Sequence, residues 1–307
     1  MAGNAPPTVA CIGECMIEMT LPDAQGAGSW VGFAGDTFNA AVYLKRTAPD
    51  MRVGYVTALG TDAASERMIA MFAREGLDTT RIERRTDRLP GCYAIVLDGA
   101  GERRFLYWRG ASAARTLFDP PATVTFDALD SADLVYLSGI TVAILAPQVR
   151  DGLAAYLAGF RARGGRVAFD SNYRPGLWPD RATAQRAIAA FWSVCDVGLP
   201  SLDDEMSLFG DPDAASVIAR LQAAGVTTGA LKRGQVGPLA IGDAAPAAHF
   251  PPAARVVDTT AAGDSFNGAY IAALLQSLPA VQCLRAGHDM ACRVIGHHGA
   301  IIPATLP

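Results

Sequence analysis

Short apolar, β-rich runs alternate along this chain with longer segments spaced as amphipathic helices. Residues 8–12 read as a buried first strand ending at Gly13. Residues 53–59 read as another, followed by a helix over 63–76 with Met68, Ile69 and Phe72 inward. From residue 134 the rhythm is regular: strands over 134–137, 166–169, 197–199 and 228–231 are separated by helices over 147–163, 181–192 and 213–225. Such alternation predicts right-handed crossovers and an α/β fold, a central mainly parallel sheet with helices on both faces. Two inserts, about 14–35 and 88–112, break the rhythm. The first returns through a short strand over 29–33; in the second, the runs 91–97 and 103–108 flank Asp98-Gly99-Ala100-Gly101 as a hairpin. Together they predict a small β-sheet lid on one domain spanning 1–307.

In a parallel sheet, ligands gather past the C-terminal ends of the strands. Those positions hold Ser138-Gly139, the run 170–175 with Asn172 and Arg174, Pro200-Ser201, and the Gly-rich run 232–237 that begins at Lys232. Two helix starts add to this ring. Helical spacing over 38–46 makes Asp36 or Thr37 the N-cap and puts Asn39 in the first turn, where its amide could address a ligand hydroxyl. The second start, Asp258-Thr259-Thr260-Ala261-Ala262-Gly263-Asp264, leaves almost no side chain over the amides. Unpaired N–H groups and the positive end of a helix dipole there suit a phosphate. Asp264 could accept a proton from a bound hydroxyl, or simply cap the helix. In the lid, strand alternation sends Tyr107 and Arg109 to one face, an aromatic wall beside a guanidinium suited to a carboxylate.

Composition narrows the chemistry. The 307 residues are 50% hydrophobic and 18% charged with a net charge of −4, ample for a buried core and contrary to a nucleic-acid footprint. No apolar run is long enough to span a membrane and the first cation is Lys45, so the expected compartment is the cytoplasm. Six cysteines without a CxxC pair and four histidines without HExxH indicate neither a redox motif nor a zinc site. No P-loop or GxGxxG occurs. A phosphate-binding helix start, an adjoining acid and a polar, aromatic flap suggest phosphoryl transfer to a small polyol.

At this point the run 258–266 resembles the C-terminal signature of the ribokinase-like (PfkB) sugar kinases, and 33–39 their N-terminal Gly-Gly signature. Further elements, Tyr107-Trp108-Arg109, Asn172-Tyr173-Arg174-Pro175 and Gly299-Ala300-Ile301-Ile302-Pro303 among them, resemble the subgroup that acts on 2-keto-3-deoxy-D-gluconate. The resemblance runs from about residue 9 to 303. It implies a ribokinase-like fold and ATP-dependent phosphorylation of the sugar acid's C6 hydroxyl, with Asp264 as base and the amides of Ala261, Ala262 and Gly263 as anion hole. Gly35, Asp36, Asn39, Tyr93, Tyr107, Arg109 and Arg174 would surround the sugar acid. Asn172, Ser201, Lys232, Gly234, Gly237, Gly263 and His288 would lie along the nucleotide. Mg²⁺ would ride on the ATP phosphates, and members of the family often take a monovalent cation such as K⁺ near the Asp258 loop. The family's Asn-x-x-Glu magnesium motif stands here as Ser201-Leu202-Asp203-Asp204, which makes Asp204 the candidate acid and Glu205 the fallback. Ala34 and Ala261 replace glycines of the two signatures. The rival expectations are a neutral-sugar kinase of the same fold, such as a fructokinase, and a non-catalytic sugar-acid sensor. Exposed lid strands with Tyr107 and Trp108 lead us to expect a homodimer, or a multiple of one, formed through the lid.

Overall fold

The computed structural model describes residues 5–21, 30–97, 103–242 and 248–304, so the turn at 98–101 lies outside the described residues. The first half of the chain contains β1 (Thr8–Ile12), β2 (Met16–Thr20), β3 (Trp30–Ala34), α1 (Asp36–Thr47), β4 (Arg52–Gly60), α2 (Ala63–Arg74), β5 (Ile82–Arg85), β6 (Cys92–Leu97), β7 (Arg103–Trp108) and β8 (Leu134–Ser138). The second half continues with α3 (Gly139–Ile144), α4 (Pro147–Ala162), β9 (Arg166–Asp170), α5 (Arg181–Trp192), β10 (Val197–Gly198), α6 (Leu202–Phe209), α7 (Ala214–Ala223), β11 (Thr228–Leu231), β12 (Leu239–Ile241), α8 (Ala262–Leu275) and α9 (Ala280–Val294). The main sheet has the order β12-β11-β10-β9-β8-β1-β4-β5 and is parallel except where β12 runs against β11. The fold is ribokinase-like, as expected. Short α3 and α6, and the edge strand β5, carry too few residues for a periodicity to reveal them.

Period-two alternation divides the core between the sheet's faces. On β1, Ala10 and Ile12 join a cluster with Leu153, Phe160, Ile188 and Trp192 from α4 and α5. Val9 and Cys11 join the opposite cluster, with Phe38, Phe72 and Tyr270 from α1, α2 and α8. Each fully buried Val, Leu, Ile or Phe among them contributes about 1.5–3 kcal/mol. The close pairing of α1 with α8 depends on Gly268, where a Cβ would fall 2.3 Å from the Ala40 carbonyl oxygen. All six cysteines are free thiols.

The lid is a separate four-stranded sheet of order β3-β2-β6-β7. Both pairs β2–β3 and β6–β7 are antiparallel, and the two inserts join through parallel β2 and β6. Tyr93 and Tyr107 pair directly across β6 and β7 and face the main sheet. The other face carries Val31, Leu106 and Trp108, all exposed. Among the described residues no helix is long and apolar enough to cross a membrane.

Candidate active site

Between lid and main sheet lies a cleft of about 990 Å³, the size of a small-molecule site. Its walls are the C-terminal ends of the parallel strands, the first turns of α1 and α8, and the inner lid face. Glycine at 35 permits this junction: a Cβ there would fall 2.0 Å from the Glu14 carbonyl oxygen. Gly35, not Asp36 or Thr37, is the N-cap of α1, and no side chain caps that helix. Asp36 instead accepts a 2.8 Å hydrogen bond from Asn172 Nδ2 inside the cleft.

At the floor, Ala261 is the N-cap of α8 in the left-handed region, with φ of 60°. This costs a residue with a Cβ about 1 kcal/mol or more. No side chain caps the helix, so neither Asp258 nor Asp264 does. Asp258 braces the preceding loop, its carboxylate accepting from the amides of Thr260 and Gly299 at 2.9 Å each. The Ala262 amide donates to the Thr259 carbonyl at 3.2 Å. The amides of Ala261, Gly263 and Asp264 find no acceptor among the described residues. Of the three amides that the resemblance implied, those of Ala261 and Gly263 are open to an anion and that of Ala262 is engaged in the turn.

Asp264 accepts a 2.8 Å hydrogen bond from Asn39 Nδ2, while Asn39 Oδ1 accepts from the Gly35 amide at 3.3 Å. One edge of Asp264 opens to the cleft, yet its carboxyl lies deep enough that lost solvation lifts its pKa from 3.8 to about 7. The charges of Asp36 and Asp170 push in the same direction; the Asn39 hydrogen bond and Lys232 oppose them. A carboxyl poised near neutrality can exchange a proton with a bound hydroxyl.

Lys232 stands beside this acid: a Cβ on Gly263 would lie 3.4 Å from its Nζ. Its ammonium is 2.6 Å from Asp170 Oδ2 and donates to Asn267 Oδ1 at 3.1 Å. Asn267 Nδ2 in turn donates to Asp170 Oδ2 at 2.7 Å. Asp170 and Asn267 received no role from the sequence. Only Asp170's place at the end of β9 could have singled it out.

At the lid end, Tyr93, Phe105 and Tyr107 form a ladder with ring centroids 5.8–6.3 Å apart. The Tyr93 hydroxyl donates to the buried Glu18, and burial together with that charge pushes its pKa up. Arg109 lines the cleft but is not a free guanidinium: it pairs with Glu14, which is buried near the β1–β2 junction. Arg174 Nη1 donates to the Tyr173 carbonyl at 2.8 Å and lies 3.4 Å from Asp204.

The cleft therefore gathers Asp264, the small residues 261–263, Gly35, Asp36, Asn39, Tyr93, Tyr107, Arg109, Asn172, Arg174, Ser201 and Lys232. Gly234, Gly237, His288 and Asp204 are not among its lining residues. His288 is buried against Phe250, with Nε2 bonded to the Pro251 carbonyl at 2.7 Å. Glu205, the fallback magnesium acid, is fully buried and paired at 2.7 Å with Arg220. Among the described residues no three His, Cys, Asp or Glu side chains form a metal cage.

The pattern shared by pfkB family carbohydrate kinases matches residues 7–306. The chain is 43% identical to a 2-dehydro-3-deoxygluconokinase of Dickeya dadantii over 303 residues, 96% of each chain. It is 41% identical to the 2-dehydro-3-deoxygluconokinase of Escherichia coli K12, covering 96% of this chain and 97% of that one. Among solved structures, an E. coli ribokinase-type chain in complex with ATP and Mg²⁺ superposes with a TM-score of 0.81. It covers 96% of this chain and 94% of its own at 20% identity, a likeness of fold.

Proposed function

The chain belongs to the pfkB family of carbohydrate kinases, and from that premise we propose that it phosphorylates the C6 hydroxyl of 2-keto-3-deoxy-D-gluconate with ATP. Asp264 removes the hydroxyl proton as the oxygen attacks the γ-phosphorus. The bond from that phosphorus to the β–γ bridging oxygen breaks, ADP leaves, and Asp264 returns its proton to solvent. The amides of Ala261, Gly263 and Asp264 and the Lys232 ammonium meet the charge on the transferring group. Mg²⁺ would travel with the ATP phosphates and neutralise them, and Asp204, which pairs with Arg174 beside the cleft, is the candidate acid for its water shell. The sugar lies between Asn39 and Asp36 below and Tyr93 and Tyr107 above; Asn172 and Ser201 flank the phosphates. In this reading the whole chain is one kinase unit and the inserts at about 14–35 and 88–112 form its lid.

The observation that carries the proposal is Asp264: a carboxyl with a pKa near 7, hydrogen-bonded by Asn39, at the open N-terminus of α8. The internal partners of Arg109 and Arg174 favour a second reading, a kinase for a neutral sugar, because neither guanidinium is wholly free for a carboxylate. An ATP-coupled assay over sugar acids and neutral sugars, repeated with Asp264→Asn, separates the two. Equal turnover of fructose and ketodeoxygluconate would remove the acid substrate, and ATP consumption surviving Asp264→Asn would remove the base. We also propose a homodimer through the exposed lid face around Val31, Leu106 and Trp108. A monomer in light scattering at micromolar concentration would contradict it.

A further inference from the structure

Four cationic side chains line the cleft: Arg109, Arg115, Arg174 and Lys232. Three have a carboxylate of their own: Glu14 for Arg109, Asp204 for Arg174 and Asp170 for Lys232. Arg115 makes no side-chain hydrogen bond or ion pair with any described residue. It stands in the 3₁₀ turn Ala113–Thr116, which follows the lid, and buried Ala113 and Ala114 fix that turn against the body.

Its electrostatic neighbour is the Glu14–Arg109 pair. Burial disfavours charge on Glu14, and the positive fields of Arg109 and Arg115 both oppose that effect. The inner lid face also carries the buried Glu18, which accepts from the Tyr93 hydroxyl. Within the pair, Arg109 Nη2 meets Glu14 Oε2, while Arg109 Nε is buried without an acceptor. Buried donors left unmatched are costly, and a site built this way awaits an acceptor. A substrate carboxylate would occupy the open donors of Arg115.

We propose that Arg115 is a specificity-determining residue that binds the carboxylate of an anionic sugar substrate, completing a cluster of two arginines and two carboxylates with Arg109 and Glu14. The inference rests on the kinase reading above and adds to it the residue that favours an acid over a neutral sugar. Arg115 is partly exposed, and replacing it breaks no side-chain hydrogen bond or ion pair with a described residue.

The test is steady-state kinetics of the native protein, Arg115→Met and Arg115→Lys with ketodeoxygluconate, a neutral ketose and ATP. Arg115→Met should raise KM for the sugar acid about 10- to 100-fold, the loss of a charge-assisted hydrogen bond. KM for ATP, KM for the neutral ketose and kcat should stay close to native, and Arg115→Lys should restore part of the affinity. Arg115→Gln replaces Met should that variant fold poorly. If the native protein phosphorylates the sugar acid and KM is unmoved in both Met and Gln variants, this inference is wrong while the kinase reading stands. If the native protein phosphorylates no sugar acid, both fall.

Discussion

On the floor of the cleft, Asp264, Asn39, Asn267 and Asp170 hang from helices and strands that are packed closely, and they hydrogen-bond one another or Lys232 at 2.6–3.1 Å. The lid is built otherwise, on a four-stranded sheet with Tyr107 54% and Trp108 57% exposed. Closely held polar groups keep a geometry without reorganising, which proton and phosphoryl transfer require. A thin sheet of aromatic side chains supplies contact area and shape. On the proposed function, reaction falls to the floor and selection to the lid, and substitutions in each should fail differently.

The largest contrast comes from the floor. Asp264→Asn should lower kcat about 10²- to 10⁴-fold with little change in either KM, whereas Tyr107→Ala in the lid should act mainly on the sugar's KM. The same Asp264→Asn variant should be more stable than the native protein above pH 7. The folded state holds the Asp264 proton up to about pH 7, and the unfolded chain releases it near 3.8. The carboxyl therefore costs stability progressively as pH rises across that interval, and Asn removes the cost. A gain on the order of 1–2 kcal/mol at pH 8, absent at pH 3, would be read from thermal melts.

Breaking the floor's support is next. Gly268→Val should destabilise the protein by about 2–3 kcal/mol by forcing α1 from α8, measured by denaturant unfolding. A smaller effect is expected at Asn39. In the native protein kcat/KM should rise through about pH 7 as Asp264 ionises. Asn39→Ala removes a hydrogen bond that lowers that pKa, so the limb should move to higher pH and kcat/KM at pH 7 should fall. An unmoved limb would mean another group sets it. The smallest change in folding belongs to the lid's outer face: Trp108→Ser should alter stability by no more than about 0.5 kcal/mol, yet shift a lid-mediated dimer toward monomer in light scattering.

Much of the floor was readable from local pattern. A helix start is written within a few consecutive residues, so the run 258–264 disclosed the start of α8, and the β-α rhythm after residue 134 disclosed the sheet. Even there one detail escaped: which amides stay open depends on the backbone path. Ala261 turns left-handed, and the Thr259 carbonyl takes the Ala262 amide.

The chain order alone determined the fold class, the lid's two inserts and the candidate acid, because each rests on hydrophobic period or on neighbours within one or two turns. Tertiary structure decided which charges are spoken for. Glu14 meets Arg109 across the lid junction, Asp170 meets Lys232 from 62 positions away, and Asn39 reaches Asp264 from 225 away. No local pattern records such pairings, since they arise only when sheet order and lid docking bring distant strand ends together. The same convergence left Arg115 as the one cation lining the cleft without an acid among the described residues.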